Sequence, residues 1–253
     1  MNCEIKQVCD IVISARKAIF DNTKIEFTQD SYAVSVGFAF SKKNLFFRSV
    51  FVNSVGEWFD ICLQRGLKNI KFLIPTNKEN KHLLGFSNTS QPVIVCYWKN
   101  GKISCFAPVW ECGKENEGWK IVYSEKPVKN NPLLDALHFT DKTDELKQIL
   151  SDIQKFAEKI DQPYFADIFS SAYNSLCHFS SVEDDNIQNQ LPYEFRSIYY
   201  AVDKADVFGA MGSWNDSPPY SAHEKGLDEE YNELSDRLLI QLRYHLMYVA
   251  NEC

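Results

Sequence analysis

Between residues 3 and 20 the apolar side chains recur at helical spacing. Val8, Ile11, Ala15, Ala18 and Ile19 share one face, while Lys6, Arg16 and Lys17 fall largely elsewhere. The period then changes to two. Over SYAVSVGFAF (31–40), Tyr32, Val34, Val36, Phe38 and Phe40 alternate with Ala33, Ser35, Gly37 and Ala39. Large side chains on one side and small ones on the other predict a strand packed closely on both faces. NLFFRSVFV (44–52) follows a short polar turn and reads as its hairpin partner. SVGEWFDICLQRGL (54–67) opens with Ser54 and Glu57 at capping-box spacing and stops at Gly66, which predicts a helix. NIKFLIP (69–75) is a strand ended by its proline, and GWKIVYS (118–124) adds another.

The clearest local pattern is PVIVCYWKNGKISCFAPVW (92–110), two β-rich runs joined by Asn100-Gly101. That residue pair suits a type I′ turn, whose central residues both take positive φ. With a two-residue loop Lys99 faces Lys102, and Cys96 lies opposite Cys105 in a non-hydrogen-bonded pair. The Cα atoms of such a pair are about 4.5 Å apart, near the short end of disulfide geometry. Two reduced thiols are the expectation for an intracellular chain.

After EKPVKNNPLL (125–134), read as the boundary between domains 1–128 and 135–253, the pattern is helical. TDELKQILSDIQKFAEKI (143–160) carries Leu146, Ile149, Leu150, Ile153, Phe156 and Ile160 on one stripe. PYFADIFSSAYNSLCHF (163–179) begins with a proline at a first helical position. Polar SSVEDDNIQNQ (180–190) is a loop, and Pro192 opens a helix with the stripe Phe195, Ile198, Tyr199, Val202 and Ala205. The last helix, 228–250, starts with three acids, where the helix dipole favours them. Its stripe is Tyr231, Leu234, Leu238, Leu242, His245 and Val249. The expected fold is α+β: a mixed or antiparallel N-terminal sheet with two helices, then a C-terminal domain of about four helices.

Between Phe208 and Asp228 lie nineteen residues with neither period. Helix connections in bundles usually take roughly 2–8 residues, and longer ones are functional or disordered. Phe208, Met211, Trp214 and Tyr220 give this one something to bury, which argues for order. Gly209 and Gly212 permit left-handed turns, Ser213, Asn215 and Asp216 bind turn backbone, and Ser217-Pro218-Pro219 stiffens the exit. Two readings compete. In one, Trp214 plugs the gap between helix ends. In the other, Asp206, Ser213, Trp214, Asn215, Asp216, Tyr220 and His223 form a binding loop. The stretch VFGAMGSWNDSPP and the following EEYNELSDRLL resemble the C-terminal part of uncharacterised bacterial proteins, chiefly through GAMGSWND. The resemblance covers roughly the last 60 residues. It implies a bacterial origin and a fold signature, and it brings no activity.

Charge and composition narrow the function classes. The chain has 253 residues, 45% hydrophobic and 24% charged, with 18 Phe, 12 Tyr and 5 Trp, so rings build its core or a binding surface. Its formal charge of −7 argues against a nucleic-acid backbone or an anionic membrane as partner. The longest candidate stretch, YAVSVGFAF (32–40), has nine residues, against the roughly 18 that a membrane helix needs. Glu4, Lys6 and Asp10 interrupt the apolar N-terminus, so no secretory signal is read and a cytoplasmic location is expected.

Catalytic patterns are missing from the sequence. Eight cysteines form no CxxC pair, and no glycine-rich phosphate loop occurs. Cys177 and His178 are neighbours on a helix and point about 100° apart, which rules out a thiolate–imidazolium pair. Asp203, Asp206 and Asp216 offer three carboxylates, but such density usually makes a solvated face, and no metal or cofactor is expected. His245 on its apolar stripe reads as a core histidine. Trp98, Trp110 and Trp119 form either an exposed aromatic surface or one side of the core. The leading expectation is a non-catalytic protein that binds another protein through an acidic, aromatic-bearing surface, in the manner of an immunity protein or antitoxin. The alternative is an enzyme or small-molecule binder with its site at the 208–223 loop and the interdomain cleft.

Overall fold

The computed structural model describes residues 1–41, 50–74, 91–113, 118–128, 137–178 and 190–253. Residues 44–49 of the expected second strand, 129–134 of the expected boundary and the loop at 180–189 lie outside them. Among the described residues there are seven helices and one six-stranded sheet, an α+β fold. They form two compact units. One holds 4–41, 50–74, 91–113, 118–128 and 137–138, the other 1–3, 139–178 and 190–253. No described helix is long and apolar enough to cross a membrane.

The first unit carries α1 (Cys3–Asp21), α2 (Val55–Gln64) and strands β1 (Ala33–Ala39), β2 (Phe51–Val52), β3 (Leu67–Leu73), β4 (Val93–Trp98), β5 (Ile103–Cys112) and β6 (Trp119–Val128). Their order is β2-β1-β6-β5-β4-β3. β1 runs parallel to β6, and every other neighbouring pair is antiparallel, so the sheet is mixed. β2 pairs with β1 as the hairpin reading requires, Phe38 opposite Val52. Phe38 stacks on Trp58 of α2 at 4.6 Å and on Tyr123 of β6 at 4.8 Å, all three fully buried. Tyr123 donates its hydroxyl proton to Gln7 of α1 at 2.7 Å, so both helices serve the same sheet face.

Three local expectations are corrected. On β1 the strict alternation fails at its start. The register with β6 shifts between Ala33 and Ser35, so Ala33 is buried and Val34 faces out. On α1 the buried surface is wider than one stripe. From Glu4 to Ala15 every residue but Lys6 is buried, and Lys6 binds Asp10 one turn on. The third correction is the hairpin register. Cys96 lies opposite Ser104, and Cys105 opposite Val95. Gly101 donates its N–H to the Trp98 carbonyl at 2.9 Å, and Trp98 donates to the Lys102 carbonyl at 3.0 Å. Of Asn100 and Gly101, Gly101 alone takes positive φ, at 75°. The loop therefore has three residues, a type I turn closed by a left-handed glycine. One extra loop residue turns β5 over relative to the expected pairing, which separates the two cysteines. None of the eight cysteines is joined to another by a disulfide.

Trp98 and Trp110 belong to the core, 7% and 4% exposed, and Trp119 packs edge-on against Trp110. Beside Trp98 lies a polar knot that periodicity does not announce. Arg65, at the C-cap of α2, sits between the Phe40 and Trp98 rings at 4.9 and 4.8 Å and makes two 2.9 Å bonds to Glu125. Glu125 also accepts from the Ser41 N–H and hydroxyl and from the Ser104 hydroxyl. Burial pushes the Glu125 carboxyl up, but the Arg65 bonds and charge outweigh it and hold it below the usual carboxylate range.

The second unit carries α3 (Thr143–Lys159), α4 (Pro163–Cys177), α5 (Tyr193–Ala205), α6 (Ser217–Glu224) and α7 (Asp228–Glu252). The expected stripes of α3, α5 and α7 are all buried. Among the described residues this unit has five helices, not four. The additional one, α6, occupies the stretch that lacks a period. Pro218 and Pro219 stand in its first turn, where a missing N–H costs nothing, and its eight residues are too few to display an amphipathic repeat.

Candidate protein-binding surface

Trp214 organises the stretch between α5 and α7. It is 0% exposed. Its ring meets Phe165 and Phe169 of α4 edge-on, both at 5.2 Å, and stacks on Tyr231 of α7 at 5.7 Å. Each of its polar groups has a partner. The indole N–H donates to Ser235 at 2.8 Å, the backbone N–H to the Val207 carbonyl at 3.0 Å, and the carbonyl accepts from Tyr231 at 2.8 Å. Burial pushes the Tyr231 phenol up to about 12, so it stays a donor at any ordinary pH.

The polar residues around Trp214 close the turn. Ser213 Oγ accepts the Asn215 N–H at 3.2 Å, and the Asn215 amide donates to the Gly209 carbonyl at 3.3 Å. Asp216 accepts the Gly212 N–H at 2.8 Å, with Gly212 at φ 80°. The remaining sequence candidates go elsewhere. Asp206, its side chain 1% exposed, faces Arg243 of α7 at 3.3 Å. His223 is exposed and 3.0 Å from Asp228, and Tyr220 is exposed and donates to Glu224. Ser213, Trp214, Asn215 and Asp216 are thus brought together as one turn, while Asp206, Tyr220 and His223 each engage a different partner. Among the described residues, no three His, Cys, Asp or Glu side chains are placed to hold a metal ion.

The chain matches no family model, no curated protein and no solved structure.

Outward of the plug the character changes. Tyr164, 67% exposed, rests edge-on against Phe165, so a ring series runs from Trp214 through Phe165 to the surface. Gln162 donates to Ser221 of α6 at 2.9 Å, which holds the start of α4 against the helix that carries Tyr220, 65% exposed. Lys225 binds Asp161 and the Lys159 carbonyl, closing the corner between α3 and α4. Met211 on the same turn as Trp214 is 93% exposed. Across 158–164 and 211–230 seven acidic side chains stand against two lysines. The resulting surface is acidic and bears exposed rings. Sequence reading named Tyr220 and missed Tyr164, which follows a helix-starting proline and lies beside Phe165 with no signal in the sequence to mark it as exposed.

Proposed function

We propose that this chain is a non-catalytic, intracellular binding protein whose partner is another protein, and that it acts as a bacterial immunity or antitoxin protein does, by capping that partner. The observation that carries the reading is Trp214. The residue at the centre of the irregular stretch is a fully buried plug, and Ser213, Asn215 and Asp216 spend their polar atoms on the turn around it. Side chains so engaged support a fold role for the turn rather than contact with a substrate. The acidic charge favours a protein over a nucleic acid. Exposed tyrosine and methionine are the residue types enriched at protein interfaces.

The test is coexpression. In the source genome, products of genes next to this one are expressed alone and together with the chain in a heterologous host. The reading expects a neighbour that is toxic alone, harmless with the chain, and eluting with it in a stoichiometric complex. If no neighbour is neutralised, and a small molecule instead raises the melting temperature of the chain, the reading is wrong.

A further inference from the structure

We infer that the docking face is the corner of the helical unit that carries Tyr164 and Tyr220, and that the partner meets it with a basic surface. This rests on the protein-binding reading and specifies its site and its chemistry.

Two features single out this corner. Large rings normally leave water when a core has room for them, yet Tyr164 and Tyr220 stand 67% and 65% exposed on adjoining segments. Tyr164 is held there by packed structure, and Tyr220 by its hydroxyl's bond to Glu224 one turn on along α6. Tyr164 leans on Phe165, which is 5% exposed and touches Trp214, and the Gln162–Ser221 bond ties the two segments. Rings on a rigid support lose little entropy on binding, which makes them suitable anchors.

The rim gives the occupant. Asp161, Asp216, Glu224, Asp228 and Glu229 are exposed on the segments that form this corner and its neighbouring turn, with Lys225 set against Asp161 and Lys159 against Glu230. Such a field repels acidic surfaces and steers cationic ones. Arginine matches both features, since its guanidinium pairs with carboxylates and stacks on tyrosine faces. A partner that itself handles nucleic acid or another polyanion presents that chemistry.

The experiment places a photo-crosslinking benzoylphenylalanine at position 164, at 220, or at the control Tyr193, which is 65% exposed on α5. Each full-length variant carries an affinity tag and is irradiated in the source cells. The inference expects one basic protein crosslinked from 164 and 220 and not from 193, with the yield falling as salt is raised. Tyr164→Ala and Tyr220→Ala, checked by circular dichroism for an unchanged fold, each weaken binding of that protein about tenfold. Glu229→Lys weakens it further at low salt than at high salt. A crosslink from 193 alone, or an acidic partner, overturns this inference and leaves protein binding standing. A tag that retrieves no stoichiometric protein, crosslinked or not, removes both.

Discussion

The indole N–H of Trp214 donates to the hydroxyl of Ser235 at 2.8 Å, at a point where both residues are 0% exposed. That bond joins the irregular stretch to α7, and the ring contacts with Phe165 and Phe169 join it to α4. Trp214→Ala is expected to cost about 3–5 kcal/mol, the usual loss for a large core ring. Ser235→Ala leaves the ring in place but strands a buried donor, at a cost of about 1–3 kcal/mol. Urea unfolding followed by far-ultraviolet circular dichroism measures both. A Trp214→Ala loss below that of Ser235→Ala would contradict the plug.

Glu125 gives the first unit an acid-sensitive point. Its carboxyl titrates lower in the folded chain than in the unfolded one, despite burial, because Arg65, Ser41 and Ser104 favour the charged form. The stabilisation is therefore complete above the unfolded-state value of about 4.5 and is lost as pH falls through the lower folded one. Glu125→Gln should cost about 3 kcal/mol at neutral pH by leaving Arg65 uncompensated. Its stability should also decline less than that of the wild type between pH 5 and acid. Urea midpoints taken across that range decide the point.

His245 works the other way. Burial lowers its basicity, and the Gln241 and Lys142 carbonyls, with Asp141 and Glu145, offset this only in part. Its ring Nδ1 lies 2.8 Å from the Gln241 carbonyl. A histidine that holds its proton less well when folded favours unfolding once protonated. Its contribution is thus undiminished above the unfolded value of about 6.5 and turns unfavourable as pH drops below it. His245→Leu should flatten the pH dependence of the melting temperature between 7 and 5, and an unchanged slope would refute this.

The hairpin makes a chemical prediction. Cys96 is fully buried and its thiol is pushed up by burial, with Cys62 beside it adding to the effect, while Cys105 lies half-buried opposite Val95. An alkylating reagent should modify Cys105 slowly and Cys96 hardly at all in the folded protein. Oxidation should yield no Cys96–Cys105 bridge in peptide mass spectra. Gly101→Ala should cost about 1 kcal/mol, since no atom stands within 4 Å of the added Cβ and only the left-handed backbone resists it.

Where one residue type dominates a face, the fold is legible in the sequence. The stripes from Leu146 to Ile160 and from Tyr231 to Val249 are buried as the 3.6 period requires, and Ser54 caps α2 by accepting the Glu57 N–H. Legibility fails where a single residue decides a register. Whether the 99–101 loop holds two or three residues is a matter of one φ angle, and Asn100-Gly101 fits both turns. The bulge between Ala33 and Ser35 is set by pairing with β6, a partner more than eighty residues away. Arg65 and Glu125 meet only through tertiary packing, so their spacing says nothing. At the candidate surface, Trp214 was legible as a plug from its apolar neighbours. The exposure of Tyr164 was not, because a ring beside Phe165 reads equally well as core.

We expect a protein partner to sit on the corner formed by the start of α4 and by α6. Hydrogen–deuterium exchange of the chain, free and saturated with its stoichiometric partner, tests it most directly. Exchange should slow chiefly in 158–166 and 211–226, with the strands β3 to β5 unchanged. Protection centred on those strands, or none in the helical unit with the partner bound, would contradict it.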